Sequence, residues 1–261
     1  MQKVNILDIS IDNLSMADLL PKLKQGGIVF TPNVDHLMRL RHDPAFRQIY
    51  ECATYKTCDS QVLMYASQLL GDPLVEKLSG SDLFPAFYEH YRDDSDIKIF
   101  LLGAKEGVAA KAQQAINQKV GREMVVGAHS PSFGFEKDEA ECTRLIELVE
   151  ASGANVLALG VGSPKQETWI YHHHHRFNNI KLFMAIGATI DFEAGHIARA
   201  PKWISEAGLE WLYRLISEPR RLWKRYILND LPFVGLLAKE MLKQKFSSAS
   251  PSQPQFDSSG R

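Results

Sequence analysis

The sequence predicts an α/β fold: a Rossmann-like, largely parallel sheet flanked by helices, followed by a basic helical C-terminal appendage. Three observations predict it. Short apolar runs alternate with segments of helical period through the first three-quarters of the chain. The run at 155–161 is nearly all apolar, as expected of a central strand buried on both faces. Several runs end in Gly or a small polar residue just before a helix, the arrangement of successive βαβ units.

Taken in order, residues 4–9 read as a strand and 16–24 as a short helix with Ser15 at its N-cap. Residues 27–31 (GIVFT) form a short apolar strand, and 34–50 follow a helical period. Residues 55–58 run into Asp59, ahead of an apolar helix. A buried strand at 97–102 ends at Gly103, with a helix at 106–120 and a strand at 124–126. Residues 138–151 are helical. The strand at 155–161 precedes a helix at 164–177 with Pro in its first turn. Residues 182–186 form a further strand. Beyond Arg199 the chain reads as helical nearly throughout, broken at Pro219 and Pro232. The last 15 residues hold six Ser and two Pro, too little apolar matter to offset ordering, and read as disordered. The expected division is a catalytic α/β domain at 1–198, an appendage at 199–246 and a tail at 247–261.

The 261 residues, 45% apolar and 23% charged, exclude a disordered or collagen-like chain. No apolar run reaches the ~18–20 residues of a membrane-spanning helix. The N-terminal MQKVNILDIS does not read as a signal peptide. Three cysteines without metal-ligand spacing fit a reducing compartment. The net charge of −1 is unevenly spread: residues 199–261 carry 11 Lys/Arg against 6 Asp/Glu, so the body is acidic and the appendage basic. Arg214, Glu218, Arg221 and Arg225 share one helix face. That pattern fits an ordinary packed helix, or an amphipathic element on an anionic membrane surface.

Candidate chemistry lies at the ends of the expected strands, where open α/β sheets bind ligands. In TPNVDH (31–36), Thr31 and Asn33 either cap the next helix or hold a sugar hydroxyl. Asp59 is either an N-cap or a general base for an acceptor hydroxyl. LLGAKEG, with Gly103, could seat an anion on a helix N-terminus, but it is neither a dinucleotide fingerprint nor a P-loop. In GVGSPKQE (160–167), Gly162 permits close backbone approach, Gln166 offers a donor and an acceptor, and Glu167 either lines the site or complements the helix dipole. Arg199, Arg214 and Arg221 can bind phosphates bidentately. Trp203 and Trp211 are core, interfacial or stacking residues. His172–His175 reads as a solvated helix face, since no carboxylate or cysteine joins it at metal-ligand spacing.

Together these stretches, with GSDL (80–83), IGATIDFEAG (186–195), RAPKW (199–203) and GLEWLYRLISEPRRLWKRY (208–226), resemble the WecG/TagA/CpsF family of bacterial glycosyltransferases from about residue 4 to 226. The resemblance implies an inverting enzyme that needs no bound metal or other cofactor. It would move an N-acetylmannosamine-type sugar from UDP onto a polyprenyl-diphosphate-linked sugar, serving surface polysaccharides at the cytoplasmic membrane face. It implies Asp59 as general base, Thr31 and Asn33 on the acceptor side, and Gln166 near the donor. Arg214 and Arg221 would then lie in an appendage that closes the site and meets the anionic membrane. No nucleic-acid partner is implied. Three departures bear on the sugar: Asp59 is followed by Ser60 rather than Gly, Lys77 stands where the family has Arg, losing the planar fork, and Ala188-Thr189-Ile190 stand where the family has aromatic or small residues after the late glycine turn. The alternatives are transfer of a glucosyl or uronosyl group, or a non-catalytic module for lipid-linked sugars. Apolar residues of the appendage would serve either membrane docking or self-association.

Overall fold

A computed structural model of the chain describes residues 2–7, 9–201, 204, 209–217, 219, 223 and 230–248. Six parallel strands form the central sheet: β3 (Gly27–Phe30), β4 (Tyr55–Lys56), β5 (Ile99–Gly103), β6 (Val125–His129), β7 (Val156–Gly160) and β8 (Leu182–Ala185). Their spatial order is β4-β3-β8-β7-β5-β6. The expected α/β class with a parallel sheet is therefore the observed one.

Side chains alternate across this sheet and build two cores. Ile28, Phe30, Phe100, Leu102, Leu157, Leu159, Phe183 and Ala185 face one layer. Val29, Ile99, Leu101, Val156, Ala158, Leu182 and Met184 face the other. Each fully buried Leu, Ile or Phe stabilises the fold by roughly 1.5–3 kcal/mol. The near-continuous apolar strands follow from having both faces covered.

The helices divide between the faces. α2 (Val34–His42), α3 (Pro44–Glu51), α4 (Gln61–Leu69), α7 (Glu139–Ala151) and α8 (Lys165–His173) bury their apolar sides in the first core. α1 (Met16–Leu23), α5 (Gly80–His90) and α6 (Val108–Val120) bury theirs in the second. β5 and β7 are thus adjacent, yet the helices that follow them, α6 and α8, lie on opposite faces. A crevice opens between the C-terminal ends of such a strand pair, and open α/β sheets bind ligands there.

Local differences from the sequence reading have identifiable causes. Residues 4–9 are not one strand: β1 (Lys3–Ile6) turns at Leu7, whose φ is 53°, and pairs antiparallel with β2 (Ile9–Asp12). This hairpin lies outside the main sheet, and Asp12 Oδ2 accepts from the Lys56 amide at 2.8 Å, covering the β4 edge. Residues 34–50 are two helices, because Asp43 leaves helical geometry and caps α3 through the Phe46 amide at 3.0 Å. Ser15 caps α1 in a reciprocal capping box, as expected. The 164–177 helix ends at His173 and continues as a 3-10 turn, His174–Arg176.

Beyond Arg199, helices Glu210–Ser217 and Pro232–Ser248 are described. The second starts at Pro232, so the expected break falls there, and the helix extends two residues into the segment read as a tail. Its Phe233 is buried in the first core, with Leu236 and Leu237 packed beside it. Residues 249–261, and with them most of the expected tail, lie outside the described residues. No helix among the described residues is long and apolar enough to cross a membrane.

Candidate active site

The sheet is parallel, so the segments that follow β3, β4, β8, β7 and β5 emerge along one edge. On that edge Asp59 follows β4 and is half-buried. Its amide donates to the Pro32 carbonyl at 2.9 Å, which ties the β4 extension to the TPNVDH segment. The residue that caps α4 is Ser60, whose hydroxyl accepts from the Leu63 amide at 3.4 Å. Ser60 at the position after the aspartate thus relieves Asp59 of the capping role.

Thr31 is buried at the end of β3, and Asn33 Oδ1 accepts from the His36 amide at 3.3 Å as the cap of α2. The capping reading of Asn33 is therefore correct. It also fixes the amide side chain at the sheet edge, one residue on from Pro32, to which the Asp59 amide is bonded.

Lys77 reaches the same region. Thr57 Oγ1 donates to the Leu78 carbonyl at 2.8 Å, and the Leu78 amide donates to the Cys58 carbonyl at 2.8 Å. These bonds lay the 77–79 segment along the chain that carries Asp59. The half-buried Lys77 ammonium acts electrostatically on Cys58 and Asp82. Burial pushes the Cys58 thiol up to about 12, so it is neutral and inert at physiological pH.

Beneath the edge lies a polar group that the sequence reading did not assemble. The Tyr50 hydroxyl and His36 Nδ1 lie 2.6 Å apart, both buried. Burial pushes the Tyr50 hydroxyl well above its ordinary value, aided by the negative charges of Glu167, Asp59 and Asp35. α3 thereby joins α2, the Asp59 segment and α8 in one electrostatic neighbourhood. His36 stands in the TPNVDH motif, but nothing in the local pattern reveals its partner in α3.

Gln166 and Glu167 are both buried. Gln166 Nε2 donates to Glu167 Oε1 at 2.8 Å, and Gln166 Oε1 accepts from the Gly187 amide at 3.1 Å. Gln166 thus clamps the α8 N-terminus to the turn after β8. Glu167 does more than complement a helix dipole: burial raises its carboxyl above the ordinary value, opposed by the Gln166 hydrogen bond and the charge of Arg39.

The two glycines of the crevice differ. At Gly103, φ is +141° and a Cβ would stand 2.4 Å from the Gly160 carbonyl oxygen, so the close approach of β5 and β7 requires glycine. Gly162 has φ +83° and nothing within 4 Å of a Cβ position, leaving its backbone open on that side. The helices beyond these turns, α6 and α8, carry no side-chain cap, unlike α2, α3, α4 and α5. Their positive dipole ends face the crevice without a capping side chain.

Arg199 is held by the body of the protein. Its guanidinium donates to Asp82 Oδ1 at 2.6 Å and to Ser81 Oγ at 3.2 Å, at the start of α5. Burial alone would raise the Asp82 carboxyl, but the bonds from Ser79 and Arg199 outweigh it and hold it below its ordinary value. Arg214 lies in the Glu210–Ser217 helix, though its side chain is outside the described set, as is that of Trp211. Arg221, Glu218, Arg225 and Trp203 lie outside the described residues altogether.

The histidine run is not uniformly solvated. His173 is buried with its ring 5.1 Å from that of Trp169, and burial lowers its basicity. His172 and His175 remain exposed. Among the described residues, no group of three or more His, Cys, Asp or Glu side chains could hold a metal ion.

The edge therefore brings together a carboxylate (Asp59), a hydroxyl and an amide (Thr31, Asn33) and a cation (Lys77). Further along the same edge, after β5 and β7, two helix N-termini carry no side-chain cap. Such a set can deprotonate a hydroxyl and hold an anionic leaving group. A family model described as "Glycosyl transferase WecG/TagA/CpsF family" matches residues 4–247.

Proposed function

The chain belongs to the WecG/TagA/CpsF family of glycosyltransferases, and from that premise we propose that it transfers a sugar of the N-acetylmannosamine type from a UDP-sugar to a polyprenyl-diphosphate-linked sugar. The observation that carries this reading is Asp59: a half-buried carboxylate on the ligand-binding edge, released from helix capping by Ser60 and tethered beside Thr31 and Asn33.

In the proposed reaction the acceptor hydroxyl lies between Asp59 and the Thr31–Asn33 pair. Its oxygen attacks the anomeric carbon from the face opposite the leaving group, so the configuration inverts. The new C–O bond forms as the bond to the β-phosphate oxygen breaks. The hydroxyl proton passes to Asp59, and UDP departs with the bonding electron pair. Charge on UDP is balanced by Lys77, by arginines of the C-terminal segment and by the N-termini of α6 and α8. Arg199 would first have to exchange Asp82 for the ligand. No step requires a bound metal or cofactor.

The acceptor is a lipid, so the enzyme works at the cytoplasmic face of a membrane. Supporting this, Leu209, Leu212, Ile216, Trp223, Leu231, Val234 and Leu242 of the C-terminal segment are exposed. Residues 199–261 carry 11 Lys/Arg against 6 Asp/Glu. Each basic residue near an anionic surface contributes roughly 1 kcal/mol, enough for reversible attachment. In this reading residues 1–198 are the catalytic domain and 199–246 the appendage that closes the site.

The test is UDP release from a panel of UDP-sugars, with a synthetic lipid-diphosphate-N-acetylglucosamine acceptor and EDTA present. Release with one donor and not the others is expected. Absence of release with every donor would overturn the reading.

A further inference from the structure

We propose that Asp82 is a positioning residue for the transfer reaction: it pins Arg199, and with it the root of the C-terminal segment, to the edge that bears Asp59. The inference rests on the transferase reading above. Asp82 stands in the first turn of α5, where its two carboxylate oxygens have separate partners. Oδ2 accepts from the N-cap hydroxyl of Ser79 at 2.6 Å, and the Asp82 amide donates back to that hydroxyl at 3.2 Å. This reciprocal local pair fixes the carboxylate. Oδ1 takes the Arg199 guanidinium at 2.6 Å. The same Nη2 donates to Ser81 Oγ at 3.2 Å. The guanidinium carbon also lies 6.0 Å from the centroid of the Phe192 ring, in α9 (Thr189–Glu193). Arg199 is thus held from two helices of the body.

Short links tie this anchor to the site. Ser79 follows Leu78, whose amide donates to the Cys58 carbonyl at 2.8 Å, one residue before Asp59. Gly80 packs closely on the turn after β8, where a Cβ would stand 3.1 Å from the Ile186 Cα. The charge of Lys77 acts on the Asp82 carboxylate. Asp82 therefore belongs to the loop cluster that carries the base and the cation. On the other side of the contact, residues 195–199 form an exposed strap. The amides of His196 and Ile197 hold its start, donating to the Asp191 carbonyl at 2.9 and 3.3 Å. Arg199 holds its end, through a bond that spans 117 residues of sequence. Beyond it the chain leads to the Glu210–Ser217 helix, whose Leu212 and Ile216 are exposed. A segment that closes a site must return to one geometry at each turnover, and a fixed root supplies it. An arginine whose Nη2 already serves two acceptors directs its charge at the body, which leaves the diphosphate to the other cations.

The experiment compares Asp82→Asn, Arg199→Ala and the double variant with the wild type, all as full-length chains. One readout is the initial rate of UDP release with donor and lipid acceptor, well below the unfolding temperature. The other is hydrogen exchange at the amides of the Glu210–Ser217 helix, beside those of β7. Both single variants are expected to lose at least about tenfold in rate. The double variant should fall within about twofold of either single one, because all three break the same contact. Exchange should rise in the Glu210–Ser217 helix and stay unchanged in β7. Four results would overturn the assignment. A loss in Arg199→Ala alone, with Asp82→Asn as active as the wild type or more so, would make Arg199 a diphosphate ligand that Asp82 restrains. Losses that multiply in the double variant would make the two residues independent. Unchanged rates with lowered denaturation midpoints would make the pair merely structural. Unchanged exchange in the Glu210–Ser217 helix would show that Arg199 anchors nothing. A wild type that releases no UDP with any donor would instead remove the transferase reading, and exchange would still decide the anchor.

Discussion

The amide of Asp59 and the carbonyl of Pro32 are joined by a 2.9 Å hydrogen bond. This single bond sets the geometry of the candidate site. It holds the segment after β4 against the segment after β3, so that the carboxylate lies on the same edge as Thr31 and Asn33. The bond uses only main-chain atoms, so it constrains the Asp59 backbone directly.

The crevice glycines should respond differently to substitution. Gly103→Ala places a methyl 2.4 Å from the Gly160 carbonyl, and the strands must separate. A loss above about 3 kcal/mol is expected. Gly162→Ala meets no atom within 4 Å and incurs only its left-handed conformation, about 1–2 kcal/mol. Urea denaturation of the two variants checks the order. Equal losses would contradict the close approach of β5 and β7.

Glu167 gives a pH-dependent prediction. Its folded carboxyl titrates above its ordinary 4.5 because it is buried. Between those two values the folded chain keeps a proton that the unfolded chain has released, so this group lowers stability as pH rises through the window. Glu167→Gln retains an acceptor for Gln166 and lacks the titration. Its stability relative to the wild type should improve as pH rises above 4.5. Denaturation midpoints at a series of pH values test this, and a constant difference would contradict it.

The Arg199–Asp82 pair is partly exposed, with side-chain exposures of 47% and 34%. A double-mutant cycle with Arg199→Ala and Asp82→Asn should give a coupling of about 0.5–1 kcal/mol at neutral pH. Asp82 titrates below its ordinary 3.8, so the coupling is present above that value and lost as pH falls through the depressed one. Zero coupling at neutral pH would show that the contact contributes nothing.

The parts of the fold legible in the sequence were those in which local pattern and tertiary role agree. The strands at Ile99–Gly103, Val156–Gly160 and Leu182–Ala185 are continuous apolar runs, because both their faces are covered. The β1–β2 hairpin was hidden because Leu7 takes a positive φ without being glycine, so no glycine marks the reversal. The break between α2 and α3 was hidden because Asp43-Pro44 falls within an otherwise unbroken helical period, and only the cap to Phe46 reveals a second start. Helix α5 carries Pro85 in its interior, where a proline normally ends a helix, so its local pattern is interrupted. In the site, Asp59 was legible as a cap or a base, and only the Ser60 cap separates the two roles. The burial of Glu167 and the Tyr50–His36 contact depend on helices distant in sequence and left no local trace.

The central claim is that Asp59 removes the acceptor proton while Ser60 serves only the helix. The measurement that tests it most directly is the initial rate of UDP release, with the preferred donor and lipid acceptor, for Asp59→Asn and Ser60→Ala beside the wild type. Loss of a helix cap costs about 1 kcal/mol of stability, whereas loss of a general base lowers the rate about 10²–10⁴-fold. The account predicts an Asp59→Asn variant with near-wild-type stability and a rate reduced at least about tenfold. It predicts a Ser60→Ala variant that is less stable but active. Full activity in Asp59→Asn would contradict it.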